Sequence, residues 1–287
     1  MKDAAAASAA TQDIDSRFIT VGGVRLHYKR AGVGAPILLL HGTGSSLGTW
    51  DRVVESLAGG YDIVRVDLPG FGLTGPRPDR DYTISTFVEV ITGLIDQLAL
   101  GPTVIVGNSL GGNIAWNVAL NVPDRVAALV LINATGYPSK KLPVAMRLAR
   151  NPIGRILLRS ASTRGAIRRN LRATVGPATH SAVTEELVAR VHAMMTRPGN
   201  RQAFIDLSRV DQPDRTERLR DIAAPTLVLT SEAVGPQGFG IAIPGAREVV
   251  NPGTGHLVPD EDPTWVADEI GSFLDSLNAT AEDRDRP

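Results

Sequence analysis

Short runs of aliphatic and β-branched residues alternate along this chain with longer stretches of helical spacing, an order that few folds accommodate. The runs Pro36–Leu40, Asp62–Val66, Thr103–Val106 and Ala127–Ile132 are apolar at consecutive positions more than at every second one. That pattern fits strands covered on both faces of a sheet. Between them, Ile84–Leu98 and Leu110–Val122 repeat apolar residues at helical intervals. Strands alternating with helices imply a parallel sheet flanked by helices on both faces. Upstream, Phe18–Val21 and Val24–Tyr28 flank Gly22-Gly23 and read as a hairpin with a two-residue turn.

The alternation stops at Tyr137 and resumes after Asp221, with strands at Pro225–Leu229 and Arg247–Val250 and a last helix over Pro263–Leu277. An interruption of about 85 residues is too long for a loop and should carry structure of its own. Its spacing is helical, and we expect a cap over the carboxyl ends of the strands, where open α/β sheets place their ligands. The expected organisation is a disordered tail over 1–15, an α/β core over 16–136, a helical cap over 137–221, the rest of the core over 222–277 and a frayed, disordered polar tail over 278–287.

Composition narrows the chemistry. Thirty Lys and Arg balance thirty Asp and Glu, which speaks against a nucleic-acid partner. The absence of cysteine excludes thiolate catalysis, disulfides and cysteine metal sites. No apolar run reaches the roughly 18 residues of a membrane span. Met1–Asp15 has no hydrophobic segment of the secretory kind, so a cytoplasmic location is expected.

Gly107-Asn108-Ser109-Leu110-Gly111 lies between a strand and a helix. There, glycines two residues either side of the serine let strand and helix approach closely, and the serine stands on a sharp turn as a nucleophile. The next backbone N–H, that of Leu110, then faces a developing oxyanion. His41-Gly42-Thr43-Gly44 follows the strand Pro36–Leu40 and offers a second such donor, Thr43 N–H. His41 is expected to fix that loop. His256, between Gly255 and the final helix, is the candidate general base. Gly42, Asn108, Asn133 and Leu257 flank these groups and are expected to face the substrate. His180 and His192 belong to the cap.

With these motifs in this order, the chain resembles a capped α/β-hydrolase from about Phe18 to Leu277. Asp67-Leu68-Pro69-Gly70-Phe71-Gly72 adds to the likeness. The resemblance implies a mostly parallel eight-stranded sheet with an inserted helical cap. It also implies a structural role for Asp67 and no metal or organic cofactor. Epoxide hydrolases and haloalkane dehalogenases of this fold carry an aspartate where Ser109 stands.

The likeness fails at the acid that should hold the histidine. The family's usual turn after Pro225–Leu229 reads Thr230-Ser231-Glu232-Ala233-Val234-Gly235 here, with Val234 at the aspartate position. A second family location holds Asn133. Three readings follow: Glu232 serves as the acid, Asn133 or a water orients His256, or hydrolysis has been lost.

From Arg125 to Thr184 there is no acidic residue, against eleven Lys and Arg. This reads either as a solvated cap face or as a surface for an anionic substrate, an acidic carrier protein or anionic lipid. The expected activity is hydrolysis of a carboxylic ester or lactone, on a small and mainly apolar substrate. The elbow Gly107–Gly112 also resembles that of meta-cleavage-product hydrolases, which break carbon–carbon bonds. Those enzymes usually carry an aromatic residue where Leu257 stands. Lyases, cyclases and receptors on this fold form the third alternative.

Overall fold

The computed structural model describes residues 15–57, 59–137, 144–154 and 162–284. Eight strands form one sheet: β1 (Arg17–Val21), β2 (Val24–Ala31), β3 (Ala35–Leu40), β4 (Tyr61–Val66), β5 (Thr103–Asn108), β6 (Val126–Ile132), β7 (Thr226–Ser231) and β8 (Arg247–Asn251). Their order across the sheet is β1-β2-β4-β3-β5-β6-β7-β8. β1 and β2 pair antiparallel, as do β2 and β4, and every other pairing is parallel. The β1–β2 turn is Gly22-Gly23, with φ of 54° and 79°. A two-residue turn whose residues both have positive φ matches the right-handed twist of the hairpin, which is why glycine occupies both places.

Continuous apolar runs produce two cores, one on each face of the sheet. On β3, Leu38 and Leu40 join the core built with α2 (Ile84–Gln97) and α3 (Leu110–Asn121). Ile37 and Leu39 point the other way, into the core of α1 (Asp51–Ser56) and the C-terminal helix. β6 divides likewise, Leu129 and Leu131 against Ala128, Val130 and Ile132. Side chains alternate along a strand, so a strand covered twice must be apolar throughout.

Between β6 and β7 the described residues contain no strand. They form α4 (Val144–Arg150), α5 (Arg164–Thr174), α6 (Glu185–Thr196) and α7 (Asn200–Arg209). Thr163 and Thr184 cap α5 and α6, each accepting from the backbone N–H three residues on, Ala166 and Leu187. Ile167, Leu171, Val175, Leu187 and Val188 pack into a separate small core, so the insertion has a hydrophobic centre of its own.

After β7 come α8 (Phe239–Ala242), α9 (Val258–Glu261) and α10 (Pro263–Arg284). The last helix corrects the expected boundary. It continues past Leu277 to Arg284, because Asn278–Arg284 holds alanines and charged helix formers with neither glycine nor proline to stop it. Of the two expected tails, residues 1–14 and 285–287 lie outside the described residues. No described helix is long and apolar enough to cross a membrane.

Candidate active site

Ser109 occupies the turn from β5 into α3 with φ 54° and ψ −113°. A positive φ is strained for a residue with a side chain, and such strain persists only where the surroundings enforce it. They do so here. Ser109 N–H donates to Ile132 O at 3.0 Å, and Ser109 O accepts from Asn113 N at 3.0 Å and Thr135 N at 3.1 Å. Glycine flanks the turn for lack of room: a Cβ on Gly107 would sit 2.3 Å from Gly111 O, and one on Gly111 would sit 2.1 Å from Leu40 O.

Across the sheet ends, His256 Nε2 lies 3.0 Å from Ser109 Oγ. Accepting the hydroxyl proton there requires the imidazole proton on Nδ1. Burial holds the His256 pKa below its ordinary 6.5, and the negative charge of Glu261 works in the opposite sense. The ring is therefore neutral at pH 7 and able to act as a base. Among the described residues no carboxylate reaches ion-pairing distance of this imidazole; the histidines that do pair with an acid are His27 and His41, both with Asp67.

Glu232 does not reach His256. It is exposed, and its Oε2 accepts from Gly253 N at 2.9 Å. Its own backbone continues the sheet contact of β7 and β8, with Glu232 N–H donating to Asn251 O, and this keeps the side chain at the start of the histidine loop. Val234 closes a tight turn on Ser231 O. Asn133 also differs from expectation. It is 2% exposed, with φ 42°, and its Nδ2 donates to Ser231 Oγ, Gly255 O and His256 O at 3.1, 3.2 and 3.4 Å. Its Oδ1 accepts from Ser231 N at 3.0 Å. Asn133 thus braces the backbone of the histidine loop and faces neither substrate nor ring.

Asn108 is buried as well, its Nδ2 donating to Ile132 O at 3.1 Å, so it braces β5 against β6 where it was expected to meet substrate. Leu257 packs against the cap core of Ile167, Leu171 and Val188. An apolar side chain at the cap seam gains more from burial there than from facing an open cleft.

Of the two expected oxyanion donors, Leu110 directly follows Ser109, and Thr43 follows Gly42, which packs against Ser109. Leu110 is the first residue of α3, so its N–H has no intrahelical acceptor. The loop of Gly42 and Thr43 presses on the elbow: a Cβ on Gly42 would lie 3.1 Å from both Asn108 Oδ1 and Ser109 Cβ. His41, 0% exposed, shapes this loop. Its Nδ1 donates to Gly42 O at 2.8 Å while Nε2 accepts from Leu68 N at 3.0 Å. Asp67 holds the neighbouring turn. It meets His27 Nδ1 at 2.7 Å and accepts from Leu47 N and Leu73 N, both at 2.7 Å.

Between cap and core a cleft with a cavity volume of about 100 Å³ opens to solvent, walled by Phe71, Met194, Met195 and Phe204. It meets the loop after β3 at Gly44 and Ser45, and neither Ser109 nor His256 lines it. Among the described residues no group of three or more His, Asp or Glu side chains is placed to hold a metal.

A sequence comparison covers the stretch that holds both Ser109 on its strained strand-to-helix turn and His256 in the loop after the last strand. The model of the Alpha/beta hydrolase family matches residues 37–269. The chain belongs to that family. One relative of this α/β-hydrolase is the 2-hydroxy-6-oxononadienedioate/2-hydroxy-6-oxononatrienedioate hydrolase of Burkholderia vietnamiensis, 32% identical over 76% of the chain and 79% of the relative. A solved serine hydrolase involved in carbazole degradation superposes with a TM-score of 0.77 at 25% identity, over 91% of this chain and 98% of that one. A thermophilic esterase from Thermogutta terrifontis superposes with a TM-score of 0.75, also at 25% identity, over 91% and 98%.

Sequence reasoning missed one residue of this α/β-hydrolase site, Glu261. Its Oε1 accepts from Leu257 N at 2.8 Å and its Oε2 from Gly255 N at 2.7 Å, so it grips the backbone on both sides of His256. The available signal was a carboxylate one turn into a helix, reaching back to the amide of the N-cap residue Leu257.

Proposed function

We propose that this protein is a serine hydrolase that transfers an acyl group from a carboxylic ester or lactone to Ser109. The 3.0 Å contact between His256 Nε2 and Ser109 Oγ carries the reading. Ser109 Oγ attacks the carbonyl as His256 takes its proton, and the N–H groups of Leu110 and Thr43 receive the oxyanion. His256 returns the proton to the leaving alkoxide. A water activated by the same imidazole then releases the acid and restores Ser109. The thioether and aromatic walls of the cleft favour an apolar acyl or alcohol portion.

A second reading, hydrolysis of a carbon–carbon bond beside a ketone, draws support from the name of the Burkholderia relative. It uses the same acyl-enzyme, with a carbanion-derived leaving group in place of an alkoxide.

The experiment is labelling with a fluorophosphonate, read by intact mass, followed by turnover of aryl esters, lactones and a coloured dienoate. Labelling at Ser109 with ester or lactone turnover supports the first reading, and bleaching of the dienoate alone supports the second. An unlabelled Ser109 with no turnover overturns both.

A further inference from the structure

We propose that Glu261 is the positioning residue for His256, fixing the imidazole through the backbone on either side of it and supplying the negative charge that steadies the ring when it is protonated. The proposal rests on the reading of Ser109 and His256 as nucleophile and base.

Four donors converge on the carboxylate. Oε2 accepts from Gly255 N at 2.7 Å, from Gly176 N at 2.8 Å and from Thr179 Oγ1, while Oε1 accepts from Leu257 N at 2.8 Å. All four bonds are accepted by the carboxylate, which offers lone pairs on both oxygens. His256 N–H itself donates to Thr174 O at 2.9 Å, and Asn133 takes the carbonyls of Gly255 and His256. Every backbone N–H from Gly255 to Leu257 therefore has a named acceptor. With the backbone fixed, only the two side-chain torsions of His256 remain to be set, and the Nε2 contact with Ser109 restrains them. In a triad the acid restrains the ring directly. Here the restraint acts one step back, along the main chain.

The same carboxylate joins the loop to the cap, because Gly176 and Thr179 lie between α5 and α6. The two segments touch backbone to backbone: a Cβ on Gly176 would stand 2.0 Å from Gly253 O, and one on Gly255 would stand 2.4 Å from Gly176 N. The other charged groups around the loop are committed elsewhere. Glu232 accepts from Gly253 N, Asp260 pairs with Arg190 of α6, and Asp262 accepts from Asn251 Nδ2 and Trp265 N. Arg172, the nearest cation along α5 from Thr174, is exposed. Glu261 is also the acid whose charge opposes the effect of burial on His256.

The test reads His256 in the free protein, by NMR titration of its imidazole, in wild type and in Glu261→Gln. Removing the charge should lower the titration midpoint by on the order of half a pH unit or more. Fluorophosphonate labelling of Ser109 should slow by about tenfold in its maximal rate, with the concentration dependence unchanged. An unmoved midpoint, or labelling at the wild-type rate, overturns the proposal. Should wild-type Ser109 resist labelling altogether, the hydrolase reading falls and the midpoint alone decides the role of Glu261. If Glu261→Gln does not fold, Glu261→Asp takes its place. That variant keeps the charge but is too short to hold Gly255 and Leu257 together, so slower labelling at a near-wild-type midpoint is expected, and wild-type labelling overturns the proposal.

Discussion

His256 Nε2 stands 3.0 Å from Ser109 Oγ, while the amide of the same histidine is bonded to the Thr174 carbonyl at the end of cap helix α5. Ser109 is fixed by the sheet and His256 by a seam between sheet and cap. Changes on either side of that seam should therefore be felt at the reacting atoms.

Ser109→Ala and His256→Ala should each reduce acyl turnover by about 10³-fold or more, since a nucleophile and its base act as a unit. Neither change opens the core, and melting temperatures should stay within a few degrees of wild type. Steady-state rates and thermal melts on the two variants check this. Turnover persisting in either would remove the dyad from the mechanism.

The pH dependence follows from the burial of His256. In the proposed mechanism the neutral ring takes the proton, so activity is expected above its folded pKa and should be lost as pH falls through it. That value lies below 6.5, with burial the main cause and Glu261 opposing it. The acid limb of kcat/KM should accordingly fall below pH 6.5. A midpoint above 6.5 would contradict the environment described.

His41 gives a stability counterpart. Burial lowers its pKa, Asp67 and the Gly42 carbonyl acting against that shift. In the unfolded chain the group takes up a proton at about 6.5. Between that pH and the lower folded value the unfolded state binds more protons, so stability present above 6.5 is lost as pH falls. Urea midpoints should decline from pH 7.5 to 5.5, and less steeply in His41→Gln.

Gly176→Ala should force apart the two segments that meet at the seam, because the new methyl would fall 2.0 Å from Gly253 O, a backbone atom. Overpacking of this kind costs about 1–3 kcal/mol, and labelling of Ser109 should slow with it. Wild-type stability and labelling in this variant would mean that the seam yields freely.

Glu232→Gln tests the acid expected from sequence. Its carboxylate is exposed and holds only the Gly253 amide among the described bonds. Turnover within about threefold of wild type is expected, since a single exposed hydrogen bond contributes about 1 kcal/mol or less.

Most of the fold was legible because its signals are local. The strands β3, β5, β6 and β7 lie on apolar runs, and the Gly22-Gly23 turn, the elbow at Ser109 and the histidine loop each carry their own glycine punctuation. The end of α10 was misplaced because polar composition was taken for fraying, although no helix breaker stands before Arg284. The support of the site was harder to read. Glu261 acts on main-chain amides, one of them Gly176, distant in sequence, and no spacing rule links a carboxylate to a backbone group in another segment. Asn133 looked like a substituted acid for the same reason: its partners are the carbonyls of Gly255 and His256, which every residue type presents alike.

The backbone of Ser109 has a cost for the whole molecule. At φ 54° and ψ −113° a glycine would be at ease, whereas a side chain carries strain of order 1–3 kcal/mol. A chain selected for thermal endurance alone would place glycine at 109 and lose its hydroxyl. Ser109→Gly should thus melt higher than Ser109→Ala, and the difference between the two measures how much foldedness this protein forgoes to keep a reactive oxygen at the top of its sheet.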